Sequence, residues 1–226
     1  MMMRILALDT SAGHCSAALL QDGELTQRLE AAARRHGDLL LGMLQELLAA
    51  AGLRPADLDA IAFARGPGSF TGLRIAAAVV QGAALAAQKP VVGVSTLAAL
   101  AQGCRRTAGA EQVLCALDAR MGEVYFGAYA ADAGGLMRPM VEDVVCLPAD
   151  IPVPGPGPWY AAGSGWGAHG ADLLAALHSA PLASDIERPC EAQDVAVLAA
   201  DAYAAGQTVD PADAVPVYLR DRVTSA

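Results

Sequence analysis

A glycine-rich stretch between two apolar segments constrains the fold of this chain most. It reads Gly66-Pro67-Gly68-Ser69-Phe70-Thr71-Gly72. The preceding residues 58–64 are apolar enough to predict a buried strand, and residues 72–88 predict a long alanine-rich helix. Many phosphate-binding sites have this layout, because backbone N–H groups at the start of a helix point at an anion. The same layout also turns a chain tightly without any ligand.

The residues within this glycine loop favour a structural role. No lysine follows Gly72, so the loop is not a P-loop, and no G-x-S-x-G pattern presents Ser69 as a hydrolase nucleophile. Ser69 or Thr71 is suited to cap the following helix. We therefore interpret the loop as a shaped connection that holds the helix at 72–88 in a fixed pose.

The order of predicted elements indicates an α/β fold. The first half predicts strands and helices in the order β-β-β-α-β-α-β-α, which describes a mixed sheet with helices packed on it, as in the ribonuclease H-like fold. The second half then begins with a strand, a turn that contains Asp118 and two further strands, which repeats the pattern at the start of the chain. We predict two such lobes, residues 1–103 and 104–226, with mixed sheets flanked by helices and the last helix free to pack back on the first lobe.

Composition and charge exclude several classes of protein. The chain of 226 residues is 54% hydrophobic, which supplies ample material for a core, and its formal charge of -9 argues against a direct grip on nucleic acid. Its five cysteines are scattered without a C-x-x-C pair, which argues against disulfides and zinc and favours a reducing compartment. Asp9 ends the first apolar run too early for a signal peptide, and the apolar stretch 75–87 is too short to span a bilayer. We expect a cytoplasmic protein.

Two predicted helices carry more apolar surface than one sheet can cover. At 100° per residue, the apolar side chains of the helix at 38–51 cover roughly 200°, about twice what a surface helix needs. The helix at 72–88 is apolar or small on nearly every face. Exposed apolar faces of this size mark partner sites. We predict a helical interface with a partner or a second copy, with these contacts: Leu40, Met43, Leu44, Leu47, Ile75, Val79 and Ala83.

Four segments together resemble the bacterial TsaB (YeaZ) family, and they span almost the whole chain. They are residues 5–11, 66–74, 118–125 and 216–220. The resemblance implies the fold of the actin, Hsp70 and sugar-kinase superfamily and a role in forming N6-threonylcarbamoyladenosine at position 37 of tRNA. It also implies pairing with a TsaD-like catalytic subunit, recruitment of a TsaE-like ATPase and only indirect contact with tRNA.

The resemblance also implies that the chain does not catalyse the transfer. The catalytic TsaD relative carries a metal-binding pair of histidines four residues apart, and the matching positions here are Thr96 and Leu100. Two imidazoles one helical turn apart are what that metal site requires. The four histidines of this chain lie in separate segments, so we predict ordinary surface or helix-end roles for them, and no metal: His14, His36, His169 and His178.

A vestigial nucleotide site is the remaining candidate for chemistry. In the superfamily, the first strand of each lobe ends in an acidic turn that faces phosphate and metal. The residues at those places, with a remnant of the adenosine-side loop, are Asp9, Thr10, Ser11, Asp118, Gly163 and Gly165. Asp9 and Asp118 are either turn-formers that bond local backbone or ligands of an ATPase or phosphotransferase. We favour a non-catalytic scaffold that requires no cofactor, with ATP or ADP and Mg²⁺ bound at the level of the complex.

Overall fold

The computed structural model of the chain describes residues 3–31, 36–177 and 179–220. Backbone contacts group Met1–Ala99 with Cys190–Val217 in a first unit, and Leu100–Pro189 with Tyr218–Ala226 in a second. The sequence-based boundary at residue 103 differs from this division. It also left the stretch from Cys190 to Val217 in the second lobe, while allowing the last helix to pack back on the first lobe, and the contacts of that stretch lie in the first unit.

The first unit is built on a five-stranded mixed sheet in the order β3-β2-β1-β4-β5. β1 pairs with β2 antiparallel and with β4 parallel, which is the arrangement of a ribonuclease H-like sheet. Its elements are β1 (Arg4–Asp9), β2 (His14–Gln21), β3 (Glu24–Ala31), α1 (His36–Ala50), β4 (Ala60–Gly66), α2 (Phe70–Ala87), β5 (Val91–Ser95), the first turn of α3 (Thr96–Ala108) and α5 (Ala192–Ala204).

Helices cover both faces of this sheet. On one face, α1 and α2 pack with Cys15 and Ala17 of β2 in a continuous apolar core. Ser16 lies between those two residues in sequence, so it points to the opposite face. There its hydroxyl oxygen accepts a hydrogen bond from the Ala192 amide at the start of α5, over 2.9 Å. The last helix therefore closes the first sheet, which is why its stretch belongs to the first unit.

The second unit contains a six-stranded mixed sheet in which β11-β10-β6-β7-β8 are neighbours and β9 also pairs with β7. Its elements are β6 (Gln112–Asp118), β7 (Val124–Ala131), β8 (Met137–Pro139), β9 (Val144–Cys146), β10 (Tyr160–Ala162), α4 (Ser164–Ala176) and β11 (Ala183–Asp185). The prediction of an α/β fold with two mixed sheets and flanking helices is confirmed. One predicted strand, 136–145, is instead two short strands that pair with opposite ends of β7.

Helix α2 is longer than the sequence analysis expected. It begins at Phe70 and has 18 residues, so by length and composition alone it is apolar enough to cross a membrane. A single helix of this kind is weak evidence of a span, because core helices of water-soluble proteins pass the same test. Seven of its residues are buried against the first unit, among them Leu73, Ala76 and Val80.

Candidate functional site

The glycine loop lies directly on the turn that follows β1. The Thr10 hydroxyl donates a hydrogen bond to the Gly72 carbonyl oxygen over 2.7 Å, and the Ser69 amide donates to the Ser11 carbonyl oxygen over 2.7 Å. Ser69 also caps α2, because its hydroxyl oxygen accepts a hydrogen bond from the Gly72 amide over 3.3 Å. The hydroxyl groups of Thr10 and Ser69 are thus hydrogen-bonded within the first unit.

Close approach of two backbones explains the glycines of this loop. A Cβ atom at Gly68 would lie 2.5 Å from the Ser11 carbonyl oxygen, and one at Gly72 would collide with the Thr10 carbonyl oxygen. Gly66 has a φ of 117°, which side-chain-bearing residues rarely adopt, and a Cβ there would lie 2.7 Å from the Val217 carbonyl oxygen. The glycines make room for the β1 turn and for the C-terminal stretch.

Asp9 is buried beneath this loop. One of its carboxylate oxygens accepts a hydrogen bond from the Ser11 amide over 3.0 Å. Burial raises the pKa of Asp9 to about 6, against the opposing effect of hydrogen bonds from Ser11 and the Cys190 thiol. The Asp9 carboxylate in turn contributes, after burial, to a pKa of Cys190 well above its usual value. Burial therefore makes the ionised form of this carboxyl group costly where the loop covers it.

Asp118, the other predicted acidic residue, is engaged by its own turn. One carboxylate oxygen accepts a hydrogen bond from the Arg120 amide over 2.8 Å, and the other lies 3.0 Å from the Arg120 guanidinium. The imidazole of His169 lies 3.7 Å from the same carboxylate. Arg120 and Met121 both have left-handed backbone angles, so a tight local turn surrounds Asp118. The carboxylate already has a cationic partner.

The glycines predicted to remain from an adenosine loop are packing positions at the start of α4. A Cβ atom at Gly163 would lie 2.6 Å from the Ala116 carbonyl oxygen, and one at Gly165 would lie 2.8 Å from the Ala116 carbonyl carbon. Both glycines therefore let the helix begin against the backbone of β6. The predicted nucleotide residues fall into two groups, one in each unit.

Two residues beside Asp118 were not assigned a site role from the sequence. His169 was expected to be an ordinary surface histidine, but its side chain is 20% exposed and faces Asp118 from a kink in α4. Arg220 pairs with the Glu123 carboxylate and lies 3.5 Å from the Arg120 carbonyl oxygen. The sequence signal for Arg220 was its place in residues 216–220, one of the four segments that resemble the TsaB family. His178 and the His36 side chain lie outside the described residues.

Four of the seven predicted partner contacts are core residues. Leu40, Met43, Leu44 and Leu47 are at most 5% exposed and pack in the apolar core that α1 forms with β2 and α2. These four side chains therefore do not form a free surface, because α2 of the same chain covers the second buried side of α1. Ile75, Val79 and Ala83 of α2 are half-buried beside that core.

The outward face of α2 is an open helix surface near the loop. It exposes small and apolar residues at helical spacing: Ala78, Gly82, Leu85 and Ala86. Leu85 is 71% exposed, and a Cβ atom at Gly82 would meet nothing within 4 Å. At its N-terminal end, the Arg74 guanidinium lies 3.9 Å above the ring of the exposed Phe70. Small residues on such a face let another helix approach closely.

Comparison with known proteins identifies the family of this chain. The TsaD family profile, tRNA N6-adenosine threonylcarbamoyltransferase, matches residues 29–169. A tRNA threonylcarbamoyladenosine biosynthesis protein TsaB from Escherichia coli is 40% identical over 224 residues, which cover 98% of this chain and 96% of that protein. The chain belongs to the TsaB family. The TsaB of Haemophilus influenzae is 39% identical over 230 residues, 98% of this chain and 95% of that protein.

A solved TsaB structure has the same fold over its full length. YeaZ from Pseudomonas aeruginosa is 45% identical, with a TM-score of 0.89, and the match covers 96% of this chain and all of that one. Thr96 and Leu100 are each 1% exposed. Within the described ranges, no three His, Cys, Asp or Glu side chains lie close enough to hold a metal.

Proposed function

We propose that this TsaB protein is a non-catalytic scaffold in the formation of N6-threonylcarbamoyladenosine at position 37 of tRNA. It pairs with a TsaD-like catalytic subunit in the cytoplasm, helps to recruit a TsaE-like ATPase and reaches tRNA only through these partners. It requires no cofactor of its own, and ATP or ADP with Mg²⁺ acts at the level of the complex. The exposed face of α2 is the observation that carries this proposal.

The match to the TsaD profile supports the pairing. Residues 29–169 match a catalytic family, so we expect a TsaD-like subunit to share the helix arrangement that presents α2 here. Two related surfaces of small residues, such as Ala78 and Gly82, pack at short interhelical distance. The same face serves a homodimer, so self-association competes with binding of the catalytic subunit. The charge of -9 also fits a protein that leaves tRNA binding to its partners.

The alternative is an ATP-binding phosphotransferase or ATPase that uses Asp9 and Asp118. The burial of Asp9 beneath the glycine loop and the Arg120 partner of Asp118 weigh against it. A scaffold depends on the open face of α2, whereas an ATPase depends on Asp9 and Asp118. Substitutions at these positions therefore separate the two functions in one experiment.

The test is complementation of a bacterial strain depleted of its own TsaB, with tRNA nucleosides measured by mass spectrometry. We expect this chain to restore threonylcarbamoyladenosine, and Asp118→Asn to restore it equally. Ala78→Glu, which places a charge on the open face of α2, fails to restore it and fails to retain the TsaD-like subunit in a pull-down. Circular dichroism of the Ala78→Glu protein controls for folding. Loss of the modified nucleoside in Asp118→Asn would favour the ATPase, and full activity of Ala78→Glu would remove α2 from the interface.

A further inference from the structure

Strand β3 leaves one edge of the first sheet open. It is the last strand in the order, and within the described residues it pairs with β2 alone. Its eight residues are exposed except for two half-buried positions, and its apolar side chains Leu25 and Leu29 are 36% and 41% exposed. A long edge strand of this kind is a template for pairing with another chain.

The turn before β3 determines which backbone groups are free. β2 and β3 are joined by a two-residue loop, Asp22-Gly23, with φ angles of 55° and 91°. In such a hairpin the residues that flank the loop form a hydrogen-bonded pair, and hydrogen-bonded and non-hydrogen-bonded pairs then alternate. Leu25, Gln27 and Leu29 accordingly direct their N–H and C=O groups away from β2. The Arg28 guanidinium donates a hydrogen bond to the Gln27 carbonyl oxygen over 3.2 Å, and once this bond is exchanged the three residues can bond an additional antiparallel strand.

An acidic cavity lies beside the same strand. It has a volume of about 440 Å³ and is lined by Asp22, Glu24 and Thr26 together with the last turn of α1. The C-terminal end of a helix carries partial negative charge, which adds to that of the carboxylates. In the described part of the chain, Asp22 and Glu24 have no ion-pair partner, and no cationic side chain lines the cavity. The cavity therefore matches a positively charged side chain from elsewhere.

We propose that β3 pairs with β3 of a second copy of this chain, antiparallel and about a two-fold axis at Thr26. In this register Thr26 lies opposite Thr26 of the partner subunit, and Leu25 lies opposite Gln27 of the partner subunit. Glu24 lies opposite Arg28 of the partner subunit, twice per dimer, and that guanidinium lies next to the acidic cavity. Cross-strand pairs of opposite charge stabilise a sheet.

Charge selects this register over its neighbours. An axis at Gln27 would set Glu24 against Glu30 twice, and an axis at Arg28 would set the two arginines against each other. An axis at Leu29 would also set opposite charges against each other, Arg28 against Glu30, but it would place that guanidinium away from the cavity that Asp22 and Glu24 line. In its own chain Arg28 already lies 3.4 Å from Glu46, across an exposed ion pair that is easily shared. The β3 surface is separate from the exposed face of α2, so both can be occupied.

Disulfide formation tests the pairing, because residues in a non-hydrogen-bonded pair have their Cα atoms close together. Thr26→Cys in a Cys146→Ser background, which removes the partly exposed native thiol, should form a covalent dimer under mild oxidation. The control is Ser184→Cys, which is exposed on the edge strand β11 of the other sheet. We expect at least a tenfold greater dimer yield for Thr26→Cys. Equal yields, or a link through Leu29→Cys in place of Thr26→Cys, would overturn the proposal.

Charge exchange gives a second, non-covalent test. Glu24→Arg and Arg28→Glu should each weaken the β3 dimer at least tenfold in analytical ultracentrifugation, because each sets like charges opposite each other. The double variant restores the opposite-charge pairs and should recover the native dissociation constant. All three proteins carry Ala78→Glu to remove association through α2. Failure of the double variant to recover, or capture of a basic peptide with no self-association, would assign the edge to a different occupant.

Discussion

At the scale of single residues, the environment of Asp9 opposes the chemistry that its position suggests. Its carboxyl group lies at the end of β1, as a phosphate-facing acid would, but it is 1% exposed. The glycine loop lies over it, with Gly68 and Gly72 in contact with the two residues that follow Asp9. Burial then favours the neutral acid. Ionisation of Asp9 therefore lowers the free energy of unfolding at neutral pH.

Substitution of Asp9 by asparagine should therefore stabilise the protein more at neutral than at acidic pH. The pKa of Asp9 is raised from 3.8 to about 6, so stability falls as pH rises from about 4 through 6, by about 3 kcal/mol in total. The asparagine side chain keeps an oxygen that accepts the Ser11 amide, but it does not ionise. The free energy of unfolding of Asp9→Asn, relative to wild type, should rise by about 1 kcal/mol between pH 5 and pH 7.5.

Urea unfolding followed by circular dichroism measures this difference. Thr10→Ser is the control, because it alters the adjacent side chain without changing any ionisable group. Its difference from wild type should stay constant over the same range of pH. A constant difference for Asp9→Asn as well would contradict the raised pKa.

At the scale of elements, the wide apolar arc of α1 is explained by burial on two sides within one unit. The sequence predicts two-sided burial from the arc alone, but periodicity does not say which neighbour covers each side. In the structure one side faces β2 and the other faces α2. Leu44 therefore belongs to the core, and a charge placed there would disrupt folding before it reported on a partner.

A pair of alanine substitutions on α1 separates these roles. Leu44 is 5% exposed and Leu41 is 51% exposed. Leu44→Ala should lower the free energy of unfolding by about 2–4 kcal/mol, because it leaves a cavity in the core. Leu41→Ala, one turn away on the outer side, should change it by less than about 1 kcal/mol. Urea unfolding of the two variants measures both changes in the free energy of unfolding. Equal changes would mean that Leu44 does not lie on the inward face of α1.

Local signals predict the elements, whereas contacts distant in sequence do not show in any local pattern. The strand before the glycine loop, the Ser69 cap and the Asp22-Gly23 turn each follow from a few adjacent residues. The short strand β11 has no such pattern, because its three residues are held by pairing with β10. The His169 contact with Asp118 likewise depends on how α4 lies against β6. Such pairings can be identified only in the folded chain.

At the scale of the whole molecule, the chain leaves its first unit and returns to it. The stretch from Cys190 to Val217 lies far from β2 in sequence, yet it completes the first unit. Side chains of β2 and β3 satisfy the free amides at the start of α5: Ser16 accepts from Ala192, and Gln27 accepts from Gln193. The sequence analysis allowed the last helix to pack back on the first lobe but did not say which strands receive it, because capping by distant strands leaves no mark in the helix itself.

Loss of the Ser16 hydroxyl should loosen α5 and leave α4 unchanged. Ser16→Ala leaves the buried Ala192 amide without its acceptor, which costs about 1–3 kcal/mol. Amides of α5 should then exchange with deuterium at least about tenfold faster in hydrogen-exchange mass spectrometry. Thr107→Ala is the matched control, because its hydroxyl donates to the Gly103 carbonyl oxygen within the second unit. Faster exchange of α4 in Ser16→Ala would mean that the chain opens as one cooperative body, and no change in α5 would remove Ser16 as its cap.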